Sequence, residues 1–515
     1  MSKWINIKTH WKLRPTMDGL EFITYDKNIN LDTSNNNPKE QEDILLLLKG
    51  IRSYDSGKQD NNFKNIVNEL QKHGVISISN FSRFYESSSS EELLWKIRKR
   101  MVGRRGPIQR VYWLDPSRSK YYPKNATLFS TKYISKTGCE NKKMIEWTSG
   151  IDADPTISEL KAVMEGVERF YSGEVAFDEL IRKNELSLGR SAVSSTELIS
   201  YLKEQYRTDL IISPYSPRKT YLWKSAKNIT EGKEVYVPID LIYYPLEKKY
   251  APHLLTFGNS NGIASGFTYE ETLLRSLYEV IERDAFMIVW LNRLSLPKLD
   301  KKSLSKAVEN RIKKIESLGL EIYIINITLD TIPVILVAAL NILDHPVLLL
   351  GAASNLDILK AIDKALSEVE QGVYWEYRDD SRMHKVIDPK KVLKVKEHVS
   401  LFRNIRYIKE AEFLWKGKIV PVSKSNEIET HAHFENLVRQ IMQNGNKILV
   451  VDISPEELKD LGVIILRSYI LGFIPISFGY GLEPLGMRRI YDIPKMLNMK
   501  TDLWKRFPPL PHPFP

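Results

Sequence analysis

Two short segments carry the same arrangement of charge: Glu165-Gly-Val-Glu168-Arg169 and Glu279-Val-Ile-Glu282-Arg283. Each sets two carboxylates at i and i+3 and follows them with an arginine. Apolar residues recur at helical spacing around both, Leu160, Val163, Met164, Val167 and Phe170 in the first, Leu273, Leu277, Val280 and Ile281 in the second, so both pairs are predicted on helices. Side chains at i and i+3 of a helix are neighbours, and like charges there repel slightly. Either pair alone also fits a helix face turned to water. Two copies in matching contexts point instead to a shared cationic partner. Four carboxylates converging on one site suit a hard cation, and magnesium is usually held by one or two carboxylates together with substrate phosphates.

Other residues with chemical potential are scattered along the chain. Asn259-Ser260-Asn261-Gly262-Ile263-Ala264-Ser265-Gly266 is a small-residue loop ahead of the second glutamate helix. Such a loop lets backbone N–H groups approach a phosphate at a helix start, although it is not a G-x-x-x-x-G-K-[ST] loop. Glu368 and Gln371 stand at i, i+3 in a further helical stretch, 361–377, which also fits a surface helix. Arg467 lies inside an apolar run, and a buried arginine calls for an anionic partner, either a structural carboxylate or a ligand phosphate. The end of the sequence, Pro508-Pro-Leu-Pro-His-Pro-Phe-Pro515, cannot be helical and prefers polyproline II. It reads either as a loose tail or module ligand, or as a stiff strut bringing the carboxyl group of Pro515 to a fixed place at little entropic cost.

Composition sets the bounds. The 515 residues correspond to roughly three domains by length. Hydrophobic residues at 43% and charged residues at 27% are ordinary for a globular protein. Lys+Arg 75 against Asp+Glu 64 leaves +11, a modest bias toward anionic partners. The single cysteine, Cys139, excludes a disulfide framework and a four-thiolate zinc site within this chain. The opening residues have no apolar signal core. The most apolar run, 332–354, carries Asp344 and His345 and reads as buried strands rather than a membrane span. A cytoplasmic location is expected.

The elements that must position these groups follow in order. Residues 1–35 look strand-rich, 43–50 and 63–73 look helical, and 74–78 looks like a strand, which together suggest a small winged-helix-like unit. A basic run, Lys96, Arg98, Lys99, Arg100, Arg104, Arg105 and Arg110, is the best nucleic-acid candidate. It is interrupted by apolar residues, lacks a nucleic-acid motif, and reads better as a solvated or partner-binding face. Asp154 before Pro155 suits an N-cap and first-turn proline for the first glutamate helix. Residues 236–240 and 241–244 read as short strands. Beyond 301 come a helix over 304–318 and strands over 320–325, 334–340, 347–350, 448–452 and 463–470. Residues 384–445 look peripheral and charged.

These residues together resemble the YcaO family, specifically its azoline-forming cyclodehydratase branch. The resemblance is carried by Asp152-Ala-Asp-Pro155 through Glu165, Glu168, Arg169 and Gly173, by Ser260 to Gly266 with Glu279, Glu282, Arg283, Asp284 and Ala285, by Ala365-Leu-Ser-Glu368-Val-Glu-Gln371, and by the Pro511-His-Pro513-Phe-Pro515 ending. Where many members have Gly-Lys-Gly, this chain has Ser149-Gly150-Ile151. The resemblance implies an α+β fold with mixed sheets and packed helices forming a YcaO-type ATP-binding cavity over 86–515, preceded by a winged-helix-like docking region over 1–85. It implies Mg²⁺ held by Glu165, Glu168, Glu279 and Glu282, and ATP contacted by Ser260, Gly262, Arg169, Arg283, Glu368, Gln371 and Arg467. The Pro515 carboxylate would act as general base or orient the substrate. The implied activity is conversion of Cys, Ser or Thr in a ribosomally made precursor peptide to thiazoline or oxazoline, with phosphorylation of the backbone amide oxygen. Backbone thioamidation is the alternative within the family, and a non-catalytic peptide-binding subunit the alternative outside it. The implied partners are the precursor peptide, a separate leader-binding protein with a precursor recognition element (RRE), a flavin dehydrogenase and a second copy of the chain, with no nucleic acid and no membrane.

Overall fold

The computed structural model describes side chains over residues 90–103, 106–123, 126–134, 145–206, 212–246, 254–343, 345–378, 388–422, 434–501 and 509–515, with Asn68, Leu70, Lys72, Tyr250 and the backbone of short strands before residue 80. The chain forms two compact units, one of residues 1–114, 125–133 and 147–163 and one of residues 115–124, 134–146 and 164–515.

In the first unit Trp4–Ile7 pairs antiparallel with Ile76–Ser79, and Lys12–Pro15, Gly19–Ile23 and Asn28–Asp32 form a meander. This bears out a strand-rich start, while most of 43–73, on which a winged helix rested, lies outside the described residues. A second three-stranded sheet joins Ile108–Trp113, Thr127–Lys136 and Lys143–Asp152. Its inner face meets the first glutamate helix, Pro155–Tyr171. There Thr148 donates to the Ala162 carbonyl at 2.8 Å, and Ser158 donates to the Thr127 and Gly150 carbonyls. Gly150 permits the approach, because a Cβ there would lie 2.0 Å from the Ser158 carbonyl oxygen. Lys96, Arg98, Lys99 and Arg100 of the basic run fall on the helix Ser89–Met101, Arg110 lies on the strand Ile108–Trp113, and Arg104 and Arg105 lie outside the described residues. Arg98 is buried against Glu159. At least that arginine is structural.

The second unit holds two larger sheets. One runs Lys233–Pro238, Thr220–Asn228, Ile448–Asp452, Ile464–Ile470, Ile263–Gly266, with Leu180–Asn184 beside Thr220–Asn228. The other runs Val347–Ser354, Val334–Asn341, Glu321–Asn326, Lys298–Leu299, Ile419–Val420. Val334–Asn341 and Val347–Ser354 are buried along their whole lengths, which explains why the region read as continuously apolar. Residues 239–242 form a helical turn instead of a strand; a four-residue stretch is too short to distinguish the two by period. The second glutamate helix, Tyr269–Asn292, is capped by the Thr268 hydroxyl and buried through most of its length. It forms the spine of the main core with Leu273, Leu277, Ile281, Phe286 and Ile288. The third helix, Ile358–Glu376, lies on Val347–Ser354, where Gly351 leaves no room for a Cβ against the Ala365 carbonyl. No helix among the described residues is long and apolar enough to cross a membrane.

Candidate functional site

The strand Ile263–Gly266 lies between the two glutamate helices and fixes both. Ser265 donates to the Met164 carbonyl on one side at 3.5 Å, and Ser276 donates to the Gly262 carbonyl on the other at 2.6 Å. The third helix joins the same frame, since Ser354 donates to the Tyr278 carbonyl at 2.7 Å and the Ala352 N–H reaches Glu368 Oε2 at 3.2 Å. Three helices thus turn carboxylates toward one another. Burial pushes the Glu168 carboxyl up to about 8; Arg169 opposes the rise, Glu279 and Glu165 add to it, and a hydrogen bond from Ser265 opposes it. Burial likewise raises Glu282, opposed by Arg283 and Lys364 and reinforced by Glu368 and Glu279. Glu368 is raised first by burial and also by Glu165. Five acids therefore feel one another's charge with too little positive charge nearby.

The two motif arginines sit alike. Arg169 lies 3.7 Å from Glu165, and Arg283 lies 3.8 Å from Glu279 and 3.4 Å from Glu282. They part in what else they touch. Arg169 donates to the Ser260 hydroxyl at the head of the small-residue loop. Arg283 stacks 4.3 Å over the Phe514 ring, and its Nε and Nη1 are buried without a hydrogen bond. The loop is braced from below by Arg467, which donates to the Ile242 carbonyl at 2.9 Å and to Asn259 Oδ1 at 3.1 Å. The hydrogen bonds of Arg467 thus go to neutral acceptors, its guanidinium lies over the ring of Tyr469, and Glu279 acts on it by charge alone. Arg467 Nε, Asn261 Oδ1 and Ser468 Oγ are buried without partners and line one cavity of about 30 Å³, room for about two waters. Gly262 adopts φ +71°, and a Cβ there would meet the Ser468 carbonyl oxygen at 2.4 Å. No other residue fits that backbone. Gln371 lies half-buried on the third helix, beyond Glu368.

The donor set fits a hard cation and an anionic ligand. Carboxylates raised by burial also face one another, and buried nitrogens of Arg283 and Arg467 lack acceptors. Among the described residues no three His, Cys, Asp or Glu side chains are drawn tightly enough together to hold a metal unaided. Ser265 and Lys364 also act on these carboxylates, and Asn261 lines the small cavity. Lys364 at i−4 from Glu368 is readable as a helical pair, whereas Ser265 and Asn261 carry no local signal beyond the loop itself.

The end of the sequence is docked. Pro511 through Phe514 are buried and Pro515 is exposed. Phe514 packs on Phe286 at 4.7 Å between ring centroids, and Trp290 Nε1–H donates to the Leu510 carbonyl at 2.9 Å.

An α+β enzyme fold with a carboxylate-rich centre is the class defined so far. Comparison with known proteins makes it specific: the model for YcaO cyclodehydratases, described as binding ATP and Mg²⁺, matches residues 149–472, and the chain belongs to the YcaO family. An uncharacterized protein of Methanothermobacter thermautotrophicus is 33% identical over 153 residues, covering 29% of this chain and 40% of that protein. Among solved structures, a heterocyclase in complex with substrate and cofactor is similar with a TM-score of 0.66 at 21% identity, covering 82% of this chain and 57% of that one. YcaO from Methanopyrus kandleri, bound with AMPPCP and Mg²⁺, matches with a TM-score of 0.54 at 17% identity, covering 75% and 91%. The heterocyclase TruD matches with a TM-score of 0.53 at 14% identity, covering 96% and 97%. The chain therefore spans well under two thirds of the first two relatives, and the structural likenesses speak for the fold.

Proposed function

We propose that this chain closes thiazoline or oxazoline rings on Cys, Ser or Thr of a ribosomally made precursor peptide, with ATP and Mg²⁺. The observation that carries the reading is the set of carboxylates on three helices braced around one strand, of which Glu168, Glu282 and Glu368 are raised first by burial and then by neighbouring acids. Glu165, Glu168, Glu279 and Glu282 hold the cation. Ser260, Gly262, Arg169, Arg283, Arg467, Glu368 and Gln371 surround the nucleotide. When bound, ATP and Mg²⁺ supply the phosphoryl group that makes the amide oxygen a leaving group, with its charge neutralised. The residues of the chain contribute position: Arg467 and Asn259 fix the loop, and the glycine at 262 brings its backbone close. The carboxyl group of Pro515 takes a proton from the attacking side chain or orients the peptide. Residues 1–85 serve as the docking region and 86–515 as the catalytic one. A separate leader-binding protein delivers the peptide in the cytoplasm, a flavin dehydrogenase oxidises the ring, and the chain pairs as a homodimer.

The test incubates the chain with a candidate precursor, the leader-binding partner and ATP, following released phosphate and peptide mass. One water lost and one phosphate released per ring supports the reading. Exchange of oxygen for sulfur in the product, or no turnover with any combination, overturns it.

A further inference from the structure

His398 lies in the region expected to be peripheral, on the helix Val395–Leu401, yet it is completely buried. Both ring nitrogens are engaged. Nε2 accepts the Gly479 N–H at 2.9 Å, which leaves the ring proton on Nδ1, and Nδ1–H donates to the His512 carbonyl at 2.8 Å. One neutral imidazole therefore ties the loop at Gly479 to the proline-rich segment. His512 reinforces the tie: its Nε2–H donates to the Ser477 carbonyl at 2.8 Å, and its ring packs 4.5 Å from that of His398. Phe478 closes on both rings at 5.3 Å.

The segment needs such help. Four of the seven residues from 509 to 515 are proline, and proline has no N–H. The segment must therefore be held largely by groups of the scaffold donating to its carbonyls, as His398 and Trp290 do. Two residues beyond the His398 contact, Phe514 lies under Arg283, which faces Glu279 and Glu282. A shift of the segment at His512 moves the ring beneath the arginine of the second glutamate motif.

We infer that His398 is a positioning residue for ring formation, setting the register of residues 509–515 against the Tyr269–Asn292 helix and so the place of Phe514 beside Arg283. This rests on the proposed cyclodehydration and on a role for the segment in it.

The experiment is a double-mutant cycle on the full chain with its peptide and partner. His398→Ala and His398→Asn are each made with and without deletion of Phe514-Pro515. The readouts are kcat for ring formation and affinity for Mg²⁺ with a non-hydrolysable ATP analogue. With the segment intact, His398→Ala lowers kcat by at least about tenfold, as expected for a displacement near 1 Å, and nucleotide affinity stays within about twofold. His398→Asn recovers part of the loss, because an amide N–H can still donate to the His512 carbonyl. In the truncated chain neither substitution lowers kcat further. Faster hydrogen exchange at the Gly479 amide in His398→Asn accompanies the loss, and His398→Asn carries the test if the alanine variant does not fold. Wild-type kcat in both histidine variants, beside a slow truncated chain, overturns the inference and spares the proposed function. An additional loss in the truncated background marks a general folding role and also overturns it. Unimpaired ring formation by the truncated chain overturns the role of the segment together with the inference.

Discussion

Glu282 and Asp284 lie two residues apart on one helix, and both are buried. Asp284 receives Arg489 Nε at 2.9 Å and the Ile474 N–H at 2.8 Å, and Arg489 reaches on to Asp330 with two further hydrogen bonds. Glu282 faces Arg283 at 3.4 Å without a hydrogen bond from its Nε, with other carboxylates around it. Burial raises both acids, Asp284 to about 6. Asp284 is met by hydrogen-bonded partners, whereas Glu282 has Arg283 and Lys364 nearby together with the acids Glu368 and Glu279. We read the acid with hydrogen-bonded partners built in as holding the fold, and the acid among other carboxylates as the one proposed to meet a ligand. The difference separates structure from function along a single helix.

The largest expected effects set these two acids against each other. Glu282→Gln should lower ring formation by about 10²-fold or more, the scale of removing one preorganised electrostatic group, while leaving the melting temperature equal or higher. Asp284→Ala should do the reverse. It leaves Arg489 partly unpaired and costs about 3–5 kcal/mol of stability, seen as a lower melting temperature. Equal destabilisation by the two substitutions would erase the distinction. Ligand stabilisation sharpens it further. Mg²⁺ with nucleotide at about 100 times its Kd should stabilise the wild type by about 2.7 kcal/mol. Thermal shift assays should find that gain lost in Glu168→Gln and kept in an Asp330→Asn variant. A gain retained by both would remove Glu168 from the site.

Loss of Phe514-Pro515 comes next. Ring formation should fall by about tenfold or more while nucleotide binding survives, since the segment touches Arg283 through one ring. Truncation that abolishes nucleotide binding would make the segment part of the binding site instead.

What was legible follows the same division. The glutamate helices were readable because helical periodicity is local, and Val334–Asn341 with Val347–Ser354 because full burial writes a continuous apolar run. The glutamate pattern also drew attention to Arg283, but nothing in it named Phe514 as a contact. His398 was passed over, because its partner His512 is 114 residues away and no spacing rule spans that distance. Arg467 was noticed as buried, yet its neutral acceptors, Ile242 and Asn259, come from folding and not from neighbours in sequence. The 239–242 turn reads as strand in the sequence because four residues are too few to show a period.

A further expected effect is pH-dependent. Burial lowers His398 to about 4 from the usual value near 6.5. The native ring is neutral, so between those values the unfolded chain binds more protons. Stability contributed by the seated segment is present above about pH 6.5 and is lost as pH falls toward 4, by up to about 3 kcal/mol. Thermal melts from pH 8 to 5 should therefore fall more steeply below pH 6.5 in the wild type than in His398→Asn. Parallel curves would place the acid sensitivity elsewhere.

The central claim is that the raised carboxylates form a cation-dependent nucleotide site. With Glu168 pushed up to about 8, it is mostly protonated at pH 7, and cation binding must displace the proton. Titration calorimetry of Mg²⁺ with a non-hydrolysable ATP analogue, repeated at pH 7 in buffers of different ionisation enthalpy, counts protons directly. The prediction is net proton release on binding, reduced in Glu168→Gln and absent in a variant with all four motif glutamates changed to glutamine. Binding without proton release, or wild-type binding by the fourfold variant, would contradict the account.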